Sequence, residues 1–481
     1  MILLSRETTV ARVTSPTAPP PSELDGAAPT GDLATSPRRI VVVGAGLAAT
    51  QTVGALREAG FDGHLTVLGG EGRAPYDRPP LSKHLLDRTE PAWLSQELGV
   101  DVVHLADDAR LAEPATGLRV APDEVVVRTA SGGEVSADAV VLATGARARR
   151  VPGWEHALVL HTADDAAALR ARVVPGARLV VIGAGWIGAE VAGVAAAVGA
   201  RVTVLEAGPA PLAGAVGARV GALATGWFAD AGVELRTGAQ VAGVDEDGVL
   251  LADGTHVPAD VVLAAVGARP ATDWLGDALP RDLDGSLRVD EHHAVIGASR
   301  RVRAVGDVAR RRSRRHGWVP GGHWDGALRG PAILAADLVR AGGTAGTGAD
   351  DAGHGAGNDT GNDTGHGAGH GAGSGTGSGR AADAADPVPY VFSTQLGHDL
   401  TLFGLPDEAD DVVLRGDPSD GEGWSALWFR AGEQTLSAIL TVDRPRDVGA
   451  ARRLFGDLDL PRLDRDVAAV TAQPLRAAQV R

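Results

Sequence analysis

The sequence predicts an α/β protein with two parallel-sheet domains and a smaller α+β domain at its C-terminal end. Three observations predict it. Segments 39–71 and 178–206 each read as apolar strand, glycine turn, helix and second apolar strand. Continuous apolar strands alternating with helices imply a parallel sheet covered on both faces. The 481 residues exceed one ordinary domain and suit two to four at roughly 100–200 residues each. A glycine-rich stretch, 341–386, sets apart a compact final piece, 387–475.

Residues 1–37 are rich in Pro, Thr, Ala and Ser without any period (Pro16, Pro19, Pro20, Pro21, Pro29, Pro37) and read as a disordered leader. The opening Met1-Ile2-Leu3-Leu4 is too short for the apolar region of a signal peptide. No segment approaches the ~18–20 uncharged apolar residues that span a bilayer. The expectation is a cytoplasmic protein with no membrane span. The stretch 341–386 is built of Gly, Ala, Asp, Thr and His, including His354, His366 and His370. It cannot bury apolar surface against the entropy of ordering and reads as a flexible insert. No metal site is expected in the chain.

Composition narrows the function. Net charge is −16 and the pI about 5.3, which argues against nucleic-acid binding, since phosphate contacts need a basic face. There is no cysteine. Structural disulfides, cysteine-ligated iron–sulfur clusters and cysteine-based redox centres are thereby excluded within this chain. Any redox chemistry must come from a bound cofactor.

The first unit runs Arg39–Val43 into Gly44-Ala45-Gly46, a helix to Ala59 and a strand at 65–68. The second runs Arg178–Ile182 into Gly183-Ala184-Gly185-Trp186-Ile187-Gly188, a helix to Val198 and a strand ending before Glu206. In the spacing G-x-G-x-x-G/A the first glycine permits a tight turn. The second lets the backbone approach a pyrophosphate. The third position, Ala49 or Gly188, lets helix and strand pack closely. Each match follows an apolar strand and opens a helix, the context the motif requires. Two Rossmann-like domains, each holding a dinucleotide, are therefore expected. Glu206 stands where a carboxylate accepts a ribose 2′-OH and repels a 2′-phosphate. Residues 207–211 supply no arginine, so NADH is favoured over NADPH. Glu71 is the corresponding acid of the first unit.

After the first unit comes Pro75-Tyr76-Asp77-Arg78-Pro79-Pro80-Leu81-Ser82-Lys83. This string closely resembles the segment after the FAD-binding strand in FAD-dependent ferredoxin reductases of oxygenase and cytochrome P450 systems, the putidaredoxin reductase and biphenyl-dioxygenase ferredoxin reductase type. Segments 142–149, 262–270, 302–309, 323–327 and 436–454 resemble further parts of the same family. The resemblance covers 38–340 and 387–470. In this chain Gly70 precedes Glu71, Gly322 precedes His323-Trp324, and Phe392-Ser393-Thr394-Gln395 opens the C-terminal piece.

The resemblance implies a glutathione-reductase-like arrangement: a discontinuous FAD-binding domain (38–152 and 271–340), an NAD-binding domain (153–270) and a C-terminal α+β domain (387–475). It implies that Gly44, Ala45, Gly46 and Ala49 hold the FAD pyrophosphate and that Glu71 meets the adenosine ribose. Arg78, Ala109, Thr144, Gly145, Arg149, Asp307 and Trp324 would complete the FAD site, with Lys83 beside the isoalloxazine. Gly183, Gly185, Gly188, Glu206 and Gly267 would bind NADH, and Trp186, Ile187 and Glu190 would border the nicotinamide. Lys83 and Glu190 are the candidate catalytic residues.

Hydride transfer needs the two reactive rings aligned in a dry slot, and no general acid or base is obligatory. A reduced flavin releases electrons singly, which suits a ferredoxin-type iron–sulfur partner. An NADH:quinone-type reductase and a flavin-binding redox sensor of the apoptosis-inducing-factor type remain alternatives. Arg310, Arg311, Arg312, Arg314 and Arg315 form a basic cluster in an acidic chain and are the candidate docking patch for an acidic ferredoxin. A monomer or homodimer is expected.

Overall fold

The computed structural model describes residues 28–30, 36–340 and 386–480. The expected class holds: two parallel sheets, each flanked by helices, and an antiparallel C-terminal sheet. The first sheet contains β1 (Arg39–Val43), β2 (His64–Leu68), β3 (Asp108–Arg110), β4 (Ala139–Leu142) and the strand Val302–Ala304. Their order is Val302–Ala304, β4, β1, β2, β3, and every pairing is parallel. Alternate residues of β1 serve opposite faces. Ile40 and Val42 meet Ala49, Val53 and Leu56 of helix α1 (Leu47–Glu58), together with Leu334 and Leu338. Val41 and Val43 meet Leu142, Leu287 and Ala304. A strand covered on both faces has no place for a polar residue, which is why its run is continuously apolar. Beyond β2 the chain makes three short turns of helix, of which α2 (Pro80–Lys83) is the first.

The second sheet, β5 (Arg178–Ile182), β6 (Arg201–Leu205), β7 (Glu234–Arg236) and β8 (Val261–Ala264), has the order β7, β6, β5, β8 and is also parallel. Helix α3 (Trp186–Ala197) follows β5. The two units are built alike down to single bonds: Gly44 N donates to Leu68 O at 2.7 Å, and Gly183 N donates to Leu205 O at 2.8 Å. A two-stranded ribbon, Ala146–Ala148 antiparallel with Ala268–Pro270, joins them. The chain thus leaves the first unit and returns to it at neighbouring points. Helix α4 (Trp324–Arg340) closes this part and packs along α1.

The C-terminal sheet comprises β9 (Tyr390–Gln395), β10 (His398–Gly404), β11 (Asp411–Arg415), β12 (Trp424–Phe429) and β13 (Leu436–Val442) in the order β9, β10, β13, β12, β11, all antiparallel. One face packs on the helix Pro445–Leu454 through Ala451 and Leu454. The other face lies on the second unit, against Leu212, Val216, Val220 and Trp227. Trp227 stacks on His398 at 4.3 Å between ring centroids, and His398 Nδ1 lies 2.7 Å from Asp443 Oδ2. On α3, a Cβ at Gly193 would stand 3.0 Å from the Leu396 amide nitrogen. Glycine there lets the β9–β10 turn seat directly on the helix.

Part of the expected leader is placed. Thr30 N donates to Ala298 O at 2.7 Å, and Arg300 N donates to Thr30 O at 3.0 Å. That correction has a simple reason: the bridge is made by backbone groups, which composition does not report. The insert through residue 385, with its three histidines, lies outside the described residues. Asp386 at its end is firmly held. It pairs with Arg311 at 2.6 Å, accepts from Ser313 Oγ at 2.8 Å, and its carbonyl takes Arg315 Nη2.

Candidate active site at the junction of the two sheets

Both glycine turns are set by main-chain demands. Gly44 has φ 121° and Gly183 φ 102°, values open to glycine and rare for other residues. A Cβ at Gly44 would be driven into the carbonyl oxygen of Ala143, and one at Gly188 into that of Gly183. Gly46 and Gly185 cap α1 and α3 without any side-chain cap, and no acidic residue lies in either first turn. Nothing stands within 4 Å of a would-be Cβ at Gly46 or Gly185. The free amides of both helices therefore open onto space, as a pyrophosphate requires.

Ala45 borders the first turn, where a Cβ on Gly69 would come 2.8 Å from its own Cβ. Ala49 is buried beneath it. Ala109 pairs with Val67 in the adjoining strand. Thr144 Oγ1 donates to Ala271 O at 2.9 Å, and Arg149 N donates to Gly267 O at 3.0 Å. Thr144, Gly145, Arg149 and Gly267 thus sit at the joining ribbon, and the Arg149 side chain is exposed.

The three acids differ. Glu206 takes the Ala184 amide at 2.8 Å and the Gly208 amide at 2.7 Å, so it props the glycine turn it was expected to face. Glu71 accepts from Tyr76 Oη at 2.6 Å and pairs with Arg78, which also reaches the His161 carbonyl at 2.5 Å. Burial pushes Glu71 up. The Arg78 charge and the hydrogen bonds from Tyr76 and Arg78 outweigh it and hold the carboxyl below its ordinary value. Burial, seconded by Glu71, pushes the Tyr76 phenol up to about 12. Asp307 accepts from Gly322 N at 3.0 Å. Burial raises its carboxyl against the opposing effects of that bond and Arg78.

Lys83 and Glu190 meet. Lys83 Nζ pairs with Glu190 Oε1, joining α2 to α3 and so one unit to the other. Glu190 is 3% exposed. Ser82 Oγ donates to Glu190 Oε2 at 2.5 Å, and Ser393 Oγ, from β9, donates to Oε1. All three parts of the molecule therefore converge on one carboxylate. Lys83 is also the sole lysine among the chain's 45 lysines and arginines. Its Nζ lies 5.1 Å from the centre of the Phe392 ring. Trp324 meets the same ring edge-on at 6.1 Å, and its Nε1 donates to Asp77 Oδ1 at 3.0 Å. Burial raises the Asp77 carboxyl despite that bond. Trp186 packs half-buried against the cluster shared with the C-terminal sheet, while Ile187 is exposed. Sequence reading missed Ser82, Asp77, Tyr76, Ser393 and Gln395 as members of the site. The first three lie inside the quoted string. Ser393 lies 203 residues from its partner, and no local signal announces that contact.

The arginine run needs correction as a patch. Along the strand Ala309–Ser313 side chains alternate between faces. Arg311 and Arg315 point inward to Asp386, and Arg315 Nη1 donates to the carbonyls of Phe455 and Asp457 at 2.8 Å each. Arg310 pairs with Asp284 at 3.0 Å and Asp282 at 3.5 Å. Only Arg312 and Arg314 of the five are exposed.

Two open glycine turns, with a buried charged pair drawn between the units that carry them, define an oxidoreductase that binds two nucleotides. The pyridine nucleotide-disulphide oxidoreductase family matches residues 38–323, and the reductase C-terminal family matches residues 390–479. The biphenyl dioxygenase system ferredoxin–NAD(+) reductase component of Paraburkholderia xenovorans strain LB400 is 37% identical over 433 residues, covering 87% of this chain and 93% of its own. The chlorobenzene dioxygenase ferredoxin reductase component of Cupriavidus sp. strain PS12 is 32% identical, covering 86% and 92%. The crystal structure of Fdr9 superposes with a TM-score of 0.74 at 37% identity, covering 91% of this chain and 99% of that one. The chain belongs to the pyridine nucleotide-disulphide oxidoreductases, and among them to the ferredoxin reductases of oxygenase systems. Without cysteine it has no disulfide chemistry of its own.

Proposed function

We propose that this chain binds FAD at the first glycine turn and NADH at the second, takes hydride from NADH, and passes electrons singly to a small ferredoxin-type iron–sulfur protein that serves an oxygenase or cytochrome P450. The relatives named as ferredoxin–NAD(+) reductases favour this over a quinone reductase or a redox sensor. The observation that carries the reading is the Lys83–Glu190 pair, which draws the two turns toward one crevice. The open amides of α1, the forced glycine at Gly44 and the Asp307 carboxylate held by the Gly322 amide fit a flavin dinucleotide.

In this reading the FAD-binding part is 38–152 and 271–340, the NAD-binding part 153–270, and the C-terminal domain 387–475. Gly44, Ala45, Gly46 and Ala49 admit the FAD pyrophosphate. Glu71, already held by Arg78, offers its remaining lone pairs to the adenosine ribose. Ala109, Thr144, Gly145, Arg149, Asp307 and Trp324 line the rest. Gly183, Gly185, Gly188 and Gly267 admit the NADH pyrophosphate, and Glu206 takes the ribose hydroxyls and refuses a 2′-phosphate. Trp186 and Ile187 border the nicotinamide. Bound FAD supplies the conversion from hydride to single electrons. Lys83 sets a fixed positive charge beside it, and Glu190 fixes Lys83. Exposed Arg312 and Arg314 are the part of the arginine run able to steer an acidic partner.

The test begins with purified protein and its flavin absorbance, followed by anaerobic bleaching with NADH and NADPH. Bleaching by NADH, and transfer to an added ferredoxin at a rate that falls with salt, are expected. Protein that is colourless and refuses added flavin would end the reading. Charge reversal at Arg312 and Arg314 that left the transfer rate and its fall with salt as in wild type would end the docking assignment alone.

A further inference from the structure

The contact from β9 to Glu190 has a direction built into it. Gln395 Nε2 lies 3.0 Å from Ser393 Oγ and 3.5 Å from the Trp186 carbonyl oxygen. A carbonyl oxygen only accepts, so the Gln395 group facing it is the amide NH2, which only donates. Ser393 Oγ therefore accepts from Gln395 and has one hydrogen left to give. That hydrogen goes to Glu190 Oε1, the oxygen that also takes Lys83 Nζ. Ser393 and Gln395 are 3% and 2% exposed, so water does not compete for these bonds. Trp186 opens α3, and Gly193 of the same helix lets the turn after Gln395 sit against it. The helix that carries Glu190 and the strand that carries Ser393 are thus locked in register.

We propose that Ser393, oriented by Gln395, is a positioning residue for the hydride-transfer junction: the C-terminal sheet fixes the Glu190 carboxylate against Lys83. The proposal rests on the NADH-to-flavin reading above. A carboxylate with a lysine and Ser82 already has a donor on each oxygen, so burial alone does not call for a third. A second donor on the oxygen that carries the ammonium removes the freedom of that carboxylate to rotate. Among the described residues Lys83 is the one charged group in hydrogen-bonding reach of Glu190. The groups facing it from α2 and β9, Ser82 and Ser393, are neutral.

The experiment compares wild-type, Ser393→Ala, Ser393→Thr and Gln395→Leu holoenzymes. Anaerobic rapid mixing gives the rate of flavin reduction by NADH as a function of NADH concentration. In parallel, NADH-free holoenzyme is treated with acetic anhydride and the Lys83 peptide is quantified by mass spectrometry. Lys83 is the sole side-chain amine in the chain, so the label reports on it without background. In Ser393→Ala the limiting rate is expected to fall several-fold, with the NADH concentration giving half that rate little changed. Lys83 labelling at fixed pH is expected to rise several-fold. Ser393→Thr, which keeps the hydroxyl, stays with wild type, and Gln395→Leu moves in the direction of Ser393→Ala by a smaller amount. The inference is overturned if Ser393→Ala matches wild type in both readouts, or if Ser393→Thr fails as Ser393→Ala does. Should Ser393→Ala not fold, Gln395→Leu decides by the same two criteria. Failure of the wild type to be reduced by NADH sinks the functional reading instead, which keeps the two outcomes separate.

Discussion

Lys83 stands alone in a chain that otherwise uses arginine for every fixed positive charge. The two side chains are not equivalent. An ammonium is a compact point charge on a flexible stem, and a guanidinium is a planar fork. Glu190 lies nearly sealed from solvent, where a compact donor fits and a fork must displace Ser82 or Ser393. Lys83→Arg is therefore expected to keep the fold and the flavin while slowing reduction by NADH about tenfold or more, some 1.4 kcal/mol of barrier. Stopped-flow bleaching measures it, and an unchanged rate would contradict the role given to Lys83. Glu206 makes a second case. It serves the amides of Ala184 and Gly208 as well as the proposed ribose contact. Glu206→Ala should raise KM for NADH and narrow the preference over NADPH about tenfold, readable from kcat/KM for the two nucleotides. Glu206 was legible because its place follows from a strand end at fixed distance from a glycine turn. Ser393 was not, because its partner comes from a distant strand and only the packed sheet brings the two together.

At the scale of elements, the two glycine turns are duplicates with separate duties, which allows them to be broken one at a time. Gly188→Ala forces a methyl into the Gly183 carbonyl oxygen, and Gly44→Ala forces one into the Ala143 carbonyl oxygen while also demanding a φ that alanine resists. Gly188→Ala is expected to retain flavin and lose most NADH binding. Gly44→Ala is expected to purify with little flavin and to melt several degrees lower. Flavin absorbance per chain and NADH titration distinguish the two, and equal behaviour would mean the turns do not serve different nucleotides. Strands and helices of both units were legible from apolar runs and glycine spacing. The arginine run misled because a linear count of charge does not say which residues of a strand turn inward. Arg311 and Arg315 do, toward Asp386.

For the molecule as a whole, four histidines, His293 buried and three others half-buried, are held as neutral rings and set a limit on acid stability. Burial, helped by the positive charges of Arg78, Arg315 and Arg311, holds His161, His316 and His323 near 4; burial and Arg311 hold His293 near 3. An unfolded histidine takes its proton near 6.5. Below that pH the unfolded chain binds protons that the fold refuses, so stability is full above about 6.5 and declines as pH falls toward 4. Each such group contributes up to about 1.4 kcal/mol per pH unit in that window. Calorimetric Tm is expected to fall between pH 6.5 and 5, before most carboxylates protonate. A flat Tm across that interval would contradict the burial of these rings.

Asp386 is tied to Arg311 by its side chain and to Arg315 by its carbonyl, and the sheet that begins four residues later is clasped again at Trp227 and at Glu190. Covalent continuity between Arg340 and Asp386 is then redundant for holding the molecule together. A polypeptide nicked within that stretch would travel through a sizing column as one particle and keep its colour, and the final piece, made separately, could be docked back onto the rest.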